Sequence, residues 1–349
     1  MIKRIFKILL GVILCVAAVL AVVLITLTIT EYNPAEEEEI SAEGSGSKEL
    51  KVGDEISVIS WNIGYGALGA SADFFLDGGS KVRAQSKDEV EENIAAISDF
   101  LVSSDADVIC LQEVDKDSVR SYGYDEANMI GESLSGYNSS FAYNYKVLFI
   151  PYPVPPIGRV NAGLSTYTAY DVDDVTRYQL PCPFSWPYRL VNLKRCLLIS
   201  HIPIEGSDKE LAIVNLHLEA YDSGEGKTEQ TRILAEIMGA EYDVGNYVIA
   251  MGDFNQTFDD VDEDEYEDGI WTPETVEKDM FGEEWSLLYD EDTPTCRLLN
   301  KPYTGEDAVF YQLDGFIVSD NLTVKEMQAV DLDFQNSDHN PISLKVILN

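Results

Sequence analysis

Carboxylates, carboxamides and imidazoles recur in this sequence where apolar runs give way to polar ones, and these groups bind hard cations and move protons. Asn62 closes such a run in VISWNIGYG, Glu113 in DVICLQEVD and His217 in AIVNLHLEAY. Asp253 and Asn255 follow in VIAMGDFNQT, Asp314 lies in YQLDGFIVSD, and Asp338 with His339 lie in QNSDHNPISL. Taken singly, each position has an ordinary explanation, because Asn and Asp are common turn formers at strand ends. The set is less ordinary. The chain has only three histidines, and two of them fall in these segments. The third, His201, ends an apolar run and is read as structural.

The elements that must carry these residues follow from hydrophobic patterning. Short β-branched runs predict strands at Ile56–Ile63, Asp107–Gln112, Cys196–His201, Leu211–His217, Tyr247–Met251, Gln312–Val318 and Ile342–Ile347. Helical spacing predicts helices at Glu89–Val102 and Thr228–Tyr242. Strands and helices mixed along the chain, with no internal repeat, predict one layered α/β domain over residues 52–349. Two proline-rich stretches, Pro151–Pro156 and Leu180–Tyr188, are expected to be structured loops, since proline cannot join a ladder or a helix interior. The segment Asp73–Gly79, DFFLDGG, has no assigned role.

Upstream of the domain, Ile8 to Ile29 carries no charge and is long enough to cross a bilayer core of ~30 Å. Lys3, Arg4 and Lys7 precede this run, while Glu31 and Glu36–Glu39 follow it. The positive-inside rule then gives a cytoplasmic segment at 1–7, a transmembrane helix at 8–30 and the remainder outside the cell. A cleaved signal peptide is the competing reading, disfavoured by the length of the run and the lack of a small-residue cleavage site. Residues 31–51, with four consecutive glutamates and GSGS, read as a flexible stalk.

The formal charge of −38 reflects 62 acidic against 24 basic residues. Such a surface repels polyphosphate at long range and disfavours tight, sequence-independent nucleic-acid binding. A nuclease is not excluded, because a bound metal makes a phosphate site locally positive. The spacing of Cys15, Cys110, Cys182, Cys196 and Cys296 fits no zinc pattern; Cys182 and Cys196 can pair if the compartment oxidises them. The acidic run Asp259–Asp268 fails as an EF-hand, with Glu265 at the glycine position and Trp271 at the terminal acid, and reads as a charged loop.

Read together, WNIGYG, LQEVD, NLHLEA, GDFNQ and SDHNP resemble, in order and approximate spacing, the motifs of the endonuclease/exonuclease/phosphatase superfamily, which includes pancreatic-type deoxyribonucleases and bacterial sphingomyelinases. The resemblance implies a four-layer α/β sandwich, two packed mixed β-sheets with helices outside. It implies Mg²⁺, with Mn²⁺ or Ca²⁺ as alternatives, held by Glu113 with Asn62 and Asp338 as further oxygen donors. It also implies that Asp253 orients or deprotonates water, that Asn255 donates to a phosphoryl oxygen, that His217 and His339 flank the phosphate, and that Asp314 orients His339. Arg195 is a weaker match to a phosphate-contacting arginine, and GRVNAGLST resembles the family's central strand only loosely, so Asn161 is noted without a role. A phosphodiester needs charge neutralisation, an in-line water and an assisted leaving group, and this set supplies all three.

Three functions follow as expectations. The first is a metal-dependent phosphodiesterase at the outer face of the cell membrane, acting on a lipid headgroup or another small phosphoester, with Phe184, Trp186 and Tyr188 as candidate membrane contacts. The second is an extracellular nuclease for DNA or RNA, for which Arg177, Arg189, Lys194 and Arg195 form a basic group. The third is a catalytically inactive surface-binding protein. No obligate protein partner is evident.

Overall fold

Two seven-stranded sheets organise the computed structural model, which describes residues 2–222, 224–258, 271–305 and 307–349. Each sheet is built around one parallel pair. In one sheet the Glu55–Asn62 strand lies parallel to Val108–Asp115, and the Lys87–Ser104 helix makes the crossover. In the other, Glu210–His217 lies parallel to Tyr247–Asp253, with the Glu225–Asp243 helix as crossover. A parallel connection requires such a crossover, so both units leave their strand C-termini at one end of the molecule. Antiparallel strands complete each sheet on either side of its parallel pair.

Alternate residues of these strands face different layers. Ile56 and Val58 meet Ile213, Ile249 and Met251 between the sheets. Ile59, Trp61, Ile109 and Leu111 point outward to Val90, Ile94, Ile97 and Leu101 on one crossover helix. Val214, Leu216, Val248 and Ala250 do the same with Leu234 and Met238 on the other. Helix, sheet, sheet and helix thus form the expected four layers. Because both faces of the central strands are covered, they read in sequence as continuous apolar runs. Ser86 caps the first crossover helix by accepting from Glu89 N at 3.1 Å, setting its start two residues before the predicted one.

The sequence-predicted strands are all present, with ends shifted by at most three residues. Several strands were not predicted, including the long hairpin Asn138–Ile150 and Gly158–Thr168. Its first strand inverts the usual pattern. Asn138, Ser140 and Asn144 are buried, while Phe141, Tyr143 and Tyr145 lie on the half-buried face.

The segment 31–51, expected as a flexible stalk, instead lies along the domain. Glu37–Glu39 pairs antiparallel with Asp174–Gln179, Glu43–Gly44 pairs with Ser139 and Asn138, and Leu50 is buried in the inter-sheet core. Two open sheet edges supply backbone partners that composition does not reveal. Both proline-rich stretches are irregular apart from the 3₁₀ turn that begins at Tyr188. All five cysteines are free: Cys196 is buried in a strand and Cys182 half-buried in a loop, and the two are not paired. The run Asp259–Asp268 lies outside the described residues.

Candidate active site

The two parallel pairs deliver the site. Asp253 is in register with both His217 and Asp314 on its neighbouring strands, and Asn62 is in register with Gln112, next to Glu113. Beneath them, between the sheets, Gln112 Nε2 donates to Asn215 Oδ1 at 2.9 Å and Ser60 Oγ at 3.1 Å, tying the two units together. Glu113 sits at a bulge where the pairing jumps from Leu111–Ser165 to Val114–Gly163, and it has φ 54°. A bulge re-aims a side chain; this one turns Glu113 into a cavity it lines with His217, Asp253, Asn255, Asp338 and His339. Tyr65 (φ 42°) and Asn255 (φ 50°) line the same cavity, so strained backbone gathers at this end of the sandwich.

Asp253 Oδ2 is the hub. Asn62 Nδ2 donates to it at 3.0 Å, His217 Nε2 lies 3.4 Å away and His339 Nε2 3.7 Å away. Its Oδ1 accepts from Asn255 N at 2.9 Å. Burial pushes the Asp253 carboxyl up to about 6; His339 pulls against the rise and Asp314 adds to it. His339 Nδ1 meets Asp314 Oδ2 at 2.8 Å, with both side chains almost fully buried. Burial works against a charge on His339, yet its pKa stands well above the ordinary value because Cys296, Asp314 and Asp253 outweigh burial. Burial pushes the Cys296 thiol itself up to about 12. That thiol is neutral at pH 7, so the two carboxylates hold the proton. His217 goes the other way: burial, followed by Arg195 and His339, depresses it. One imidazole is thus kept neutral and one charged on either side of a carboxylate.

The loop carrying Asp338 is pinned from several directions. Ser337 Oγ donates to Asn62 O at 2.7 Å, Trp61 Nε1 donates to His339 O at 2.8 Å, and Arg297 N donates to Asp338 O at 3.0 Å. Gly64 has φ +52°, and a Cβ there would stand 2.9 Å from Asp338 Oδ1, so glycine lets the carboxylate approach. Burial pushes the Asp338 carboxyl up to about 7, against the pull of His339, and Glu113 adds to the rise. Two carboxylates facing one cavity, with no lysine or arginine salt bridge to either among the described residues, fit a hard divalent cation. Asn62, expected as a third oxygen donor, turns its Oδ1 to Gly64 N at 3.0 Å and presents its NH₂ group to Asp253 and, at 3.5 Å, Glu113. Its amide thereby ties the turn at Gly64 to the two carboxylates.

Arg195 also lines the cavity. It is 2% exposed, its Nη1 donates to His217 O at 3.4 Å, and its Nε, which makes no hydrogen bond, is ion-paired with buried Glu219 at 3.8 Å. Two further cavity cations had no signal in the sequence. Arg120 holds Asp115 through Nε (3.1 Å) and Nη2 (2.9 Å) and lies 3.6 Å over the Tyr65 ring. Arg297, also 2% exposed, donates from Nη2 to Gly69 O at 2.8 Å and leaves Nε without a hydrogen bond. The unassigned DFFLDGG segment forms part of the wall through Phe74, Leu76 and Asp77. Asn161 is elsewhere, donating to Asp117 O. His201 stays outside the cavity, near the opposite end of its strand, but it is not isolated. It forms with Asp174 and Glu210 a group whose ligand atoms lie within 4.8 Å of one another. Its Nδ1 is 3.1 Å from Asp174 and its Nε2 3.1 Å from Glu241. Burial opposes the charge, but Glu241, Asp174 and Glu210 raise the imidazole to about 9. With carboxylates on both ring nitrogens, His201 sits in a cluster of ion pairs.

Known proteins place the architecture. A sequence model of the Endonuclease/Exonuclease/phosphatase family matches residues 59–339, spanning every motif from Asn62 to His339. No curated protein matches the chain significantly by sequence. Among solved structures, an endonuclease/exonuclease/phosphatase from Beutenbergia cavernae is 17% identical, with 84% of this chain and 72% of that one covered at a TM-score of 0.60. The human Nocturnin catalytic domain with bound sulfate is 16% identical over 89% of this chain and 97% of its own, at 0.54. ANGEL2, a 2′,3′-cyclic phosphatase, is 16% identical over 89% and 99%, at 0.56. At these identities the structures speak for the fold, and the family match carries the assignment. The chain belongs to the endonuclease/exonuclease/phosphatase family, whose members are hydrolases of phosphoesters.

Proposed function

We propose that this hydrolase is a divalent-metal-dependent phosphodiesterase, anchored by a single membrane span and working outside the cell. The observation that carries the chemistry is one cavity lined by Asp253, His217 and His339 together with two buried guanidinium groups, Arg297, whose Nε makes no hydrogen bond, and Arg195, whose Nε lies 3.8 Å from Glu219. In a chain of charge −38, a cavity lined by buried guanidinium groups is built for an anion. Glu113 and Asp338 would hold the metal, Mg²⁺ being suited to oxygen donors and retained waters, and it would supply charge neutralisation on the phosphoryl oxygens.

The protein's own groups account for the rest. Asp253, fixed by Asn62 and Asn255, takes a proton from the attacking water as its oxygen bonds to phosphorus. The ester P–O bond on the opposite side breaks, and the departing oxygen takes a proton from His339, which Asp314 orients. Arg195, Asn255 and neutral His217 contact the non-bridging oxygens. Asn255 Nδ2 donates to Leu218 O at 2.9 Å, leaving its second N–H for this role.

The membrane reading rests on the Ile2–Ile29 helix, whose most apolar window has a mean hydropathy of 3.4 and is not buried by the domain. A signal sequence would satisfy the same measure, but near the helix end Leu27 packs into a cluster with Val147, Ile150 and Leu190, which favours retention. The nuclease alternative loses its basic surface. Arg177 and Arg195 are buried, while Lys194 and Arg189 are paired with Glu31. The binding-only alternative finds no support in a site whose acids and imidazoles are all retained.

The test is hydrolysis of bis-p-nitrophenyl phosphate by the full chain in detergent with Mg²⁺, with His339→Ala as control. Turnover that depends on Mg²⁺ and disappears in the variant supports the proposal. A folded wild-type protein without turnover overturns it.

A further inference from the structure

The base of the Ile2–Ile29 helix is surrounded by apolar side chains that the fold leaves in the open. Val23 and Leu27 pack against Val147, Ile150, Val160 and Leu190. Beside this cluster, at the end of a strand and in the two proline-rich loops, stand Leu148 (50% exposed), Phe149 (42%), Tyr152 (66%), Val154 (93%), Trp186 (51%) and Tyr188 (70%). Trp186 Nε1 donates to Thr28 Oγ1 at 3.2 Å, fastening one loop to the helix, and the Tyr152 ring packs edge-on to Phe75 at 5.8 Å. Glu31, just beyond the helix, is neutralised by Lys194 at 3.0 Å and Arg189 at 3.2 Å.

Helix length sets how deep this surface lies. Between Lys7 and the first residue that touches the domain, Val23, run residues 8–22, roughly 22 Å at ~1.5 Å per residue. A bilayer core is ~30 Å thick. The free stretch is too short to cross it, so the missing ~8 Å must come from the part of the helix that the domain clasps. Domain residues at the level of Val23 and Leu27 therefore sit at the hydrocarbon boundary. Tyrosine and tryptophan prefer that layer.

The catalytic cavity adjoins the same surface. Tyr145, Ile157 and Ala162 line the cavity and also belong to the cluster around Leu27. On its other wall, Leu76 is 54% exposed and adjoins Phe75, against which Tyr152 packs. An apolar rim thus runs from the helix base to the cavity.

We infer that this rim is inserted in the outer leaflet and that the substrate is a phosphodiester lipid of the same bilayer, entering the cavity from the membrane side. This rests on the hydrolase reading and on retention of the span. Water attacks phosphorus, the P–O bond to one of the two esterified alcohols breaks, and the released alcohol and phosphomonoester share the two hydrogens of that water.

The experiment uses the full chain reconstituted in vesicles of phosphatidylcholine, phosphatidylethanolamine and phosphatidylglycerol, with ³¹P NMR following headgroup cleavage and bis-p-nitrophenyl phosphate as the soluble substrate. Brominated phosphatidylcholine should quench a tryptophan component that is absent in Trp186→Phe. Phe149→Ser/Val154→Ser should lower vesicle turnover about tenfold or more while soluble turnover stays within about twofold. Wild-type turnover of the soluble diester without cleavage of any lipid would overturn the lipid substrate and leave the hydrolase reading standing. Absence of the Trp186 quenching component would overturn the inserted rim. No turnover of either substrate would instead strike at the hydrolase reading itself.

Discussion

Asp314→Asn isolates the contribution of one buried bond. Asp314 is 1% exposed and meets His339 Nδ1 at 2.8 Å, yet it does not line the cavity, so the substitution acts through the imidazole. Asparagine is nearly isosteric, and its oxygen can still accept from Nδ1–H, but the charge is lost. A hydrogen bond to a charged group contributes about 1.5–3 kcal/mol. At ~1.36 kcal/mol per decade, losing that much from a charged transition state lowers kcat by roughly 10- to 150-fold. KM should move by less than about threefold, because no substrate contact is removed. The assay is steady-state hydrolysis of bis-p-nitrophenyl phosphate at saturating Mg²⁺, with thermal unfolding measured in parallel. The pH profile of kcat should also lose its alkaline plateau earlier in the variant. A folded variant with kcat within about twofold of wild type, or one whose entire loss lies in KM, would refute the coupling of Asp314 to turnover through His339.

Glu113→Gln keeps the shape of the cavity but removes a carboxylate, and Mg²⁺ affinity measured by titration calorimetry should fall at least tenfold, while chelation of the wild-type protein should abolish turnover. Gly252→Ala would place a Cβ 1.9 Å from Leu216 O, between the strands that present His217 and Asp253. Roughly 3 kcal/mol of stability should be lost, read as a lower unfolding midpoint together with reduced activity. His201 has a folded pKa near 9, raised above the ordinary 6.5, so its ion cluster stabilises fully below pH 6.5 and the effect fades as pH rises through 9. His201→Gln should therefore cost about 2–3 kcal/mol at pH 6 and converge with wild type near pH 10. A gap that does not change with pH would contradict this account.

The candidate site residues on the central strands were legible in the sequence. Asn62, Glu113, His217, Asp253 and Asp314 lie on continuous apolar strands covered on both faces, and a polar residue in or at the end of such a strand stands out. The crossover helices were equally legible from the spacing of Val90, Ile94, Ile97 and Leu101. The Asn138–Ile150 strand was missed because it buries Asn138, Ser140 and Asn144 and leaves its aromatics half exposed, opposite to the pattern of a half-buried strand. Residues 31–51 were misread as a stalk because acidic and glycine-rich composition reports no hydrophobic burial, and edge pairing needs none.

What the linear chain determined, then, was the alternation that builds the layers, the identity of the acids and imidazoles, and an apolar run of membrane-spanning length. Their combination was decided by tertiary structure. Only the register of the two parallel pairs brings His217 and Asp314 beside Asp253, and only packing around the strand ends adds Arg120, Arg297 and the DFFLDGG wall. Position along the chain carries no information about these groups, because a bidentate arginine pair or a cavity wall is defined by what lies across space. The same holds for the apolar rim at the base of the first helix. Six apolar residues scattered from Leu148 to Tyr188 form a surface only once the fold gathers them around the helix that emerges there.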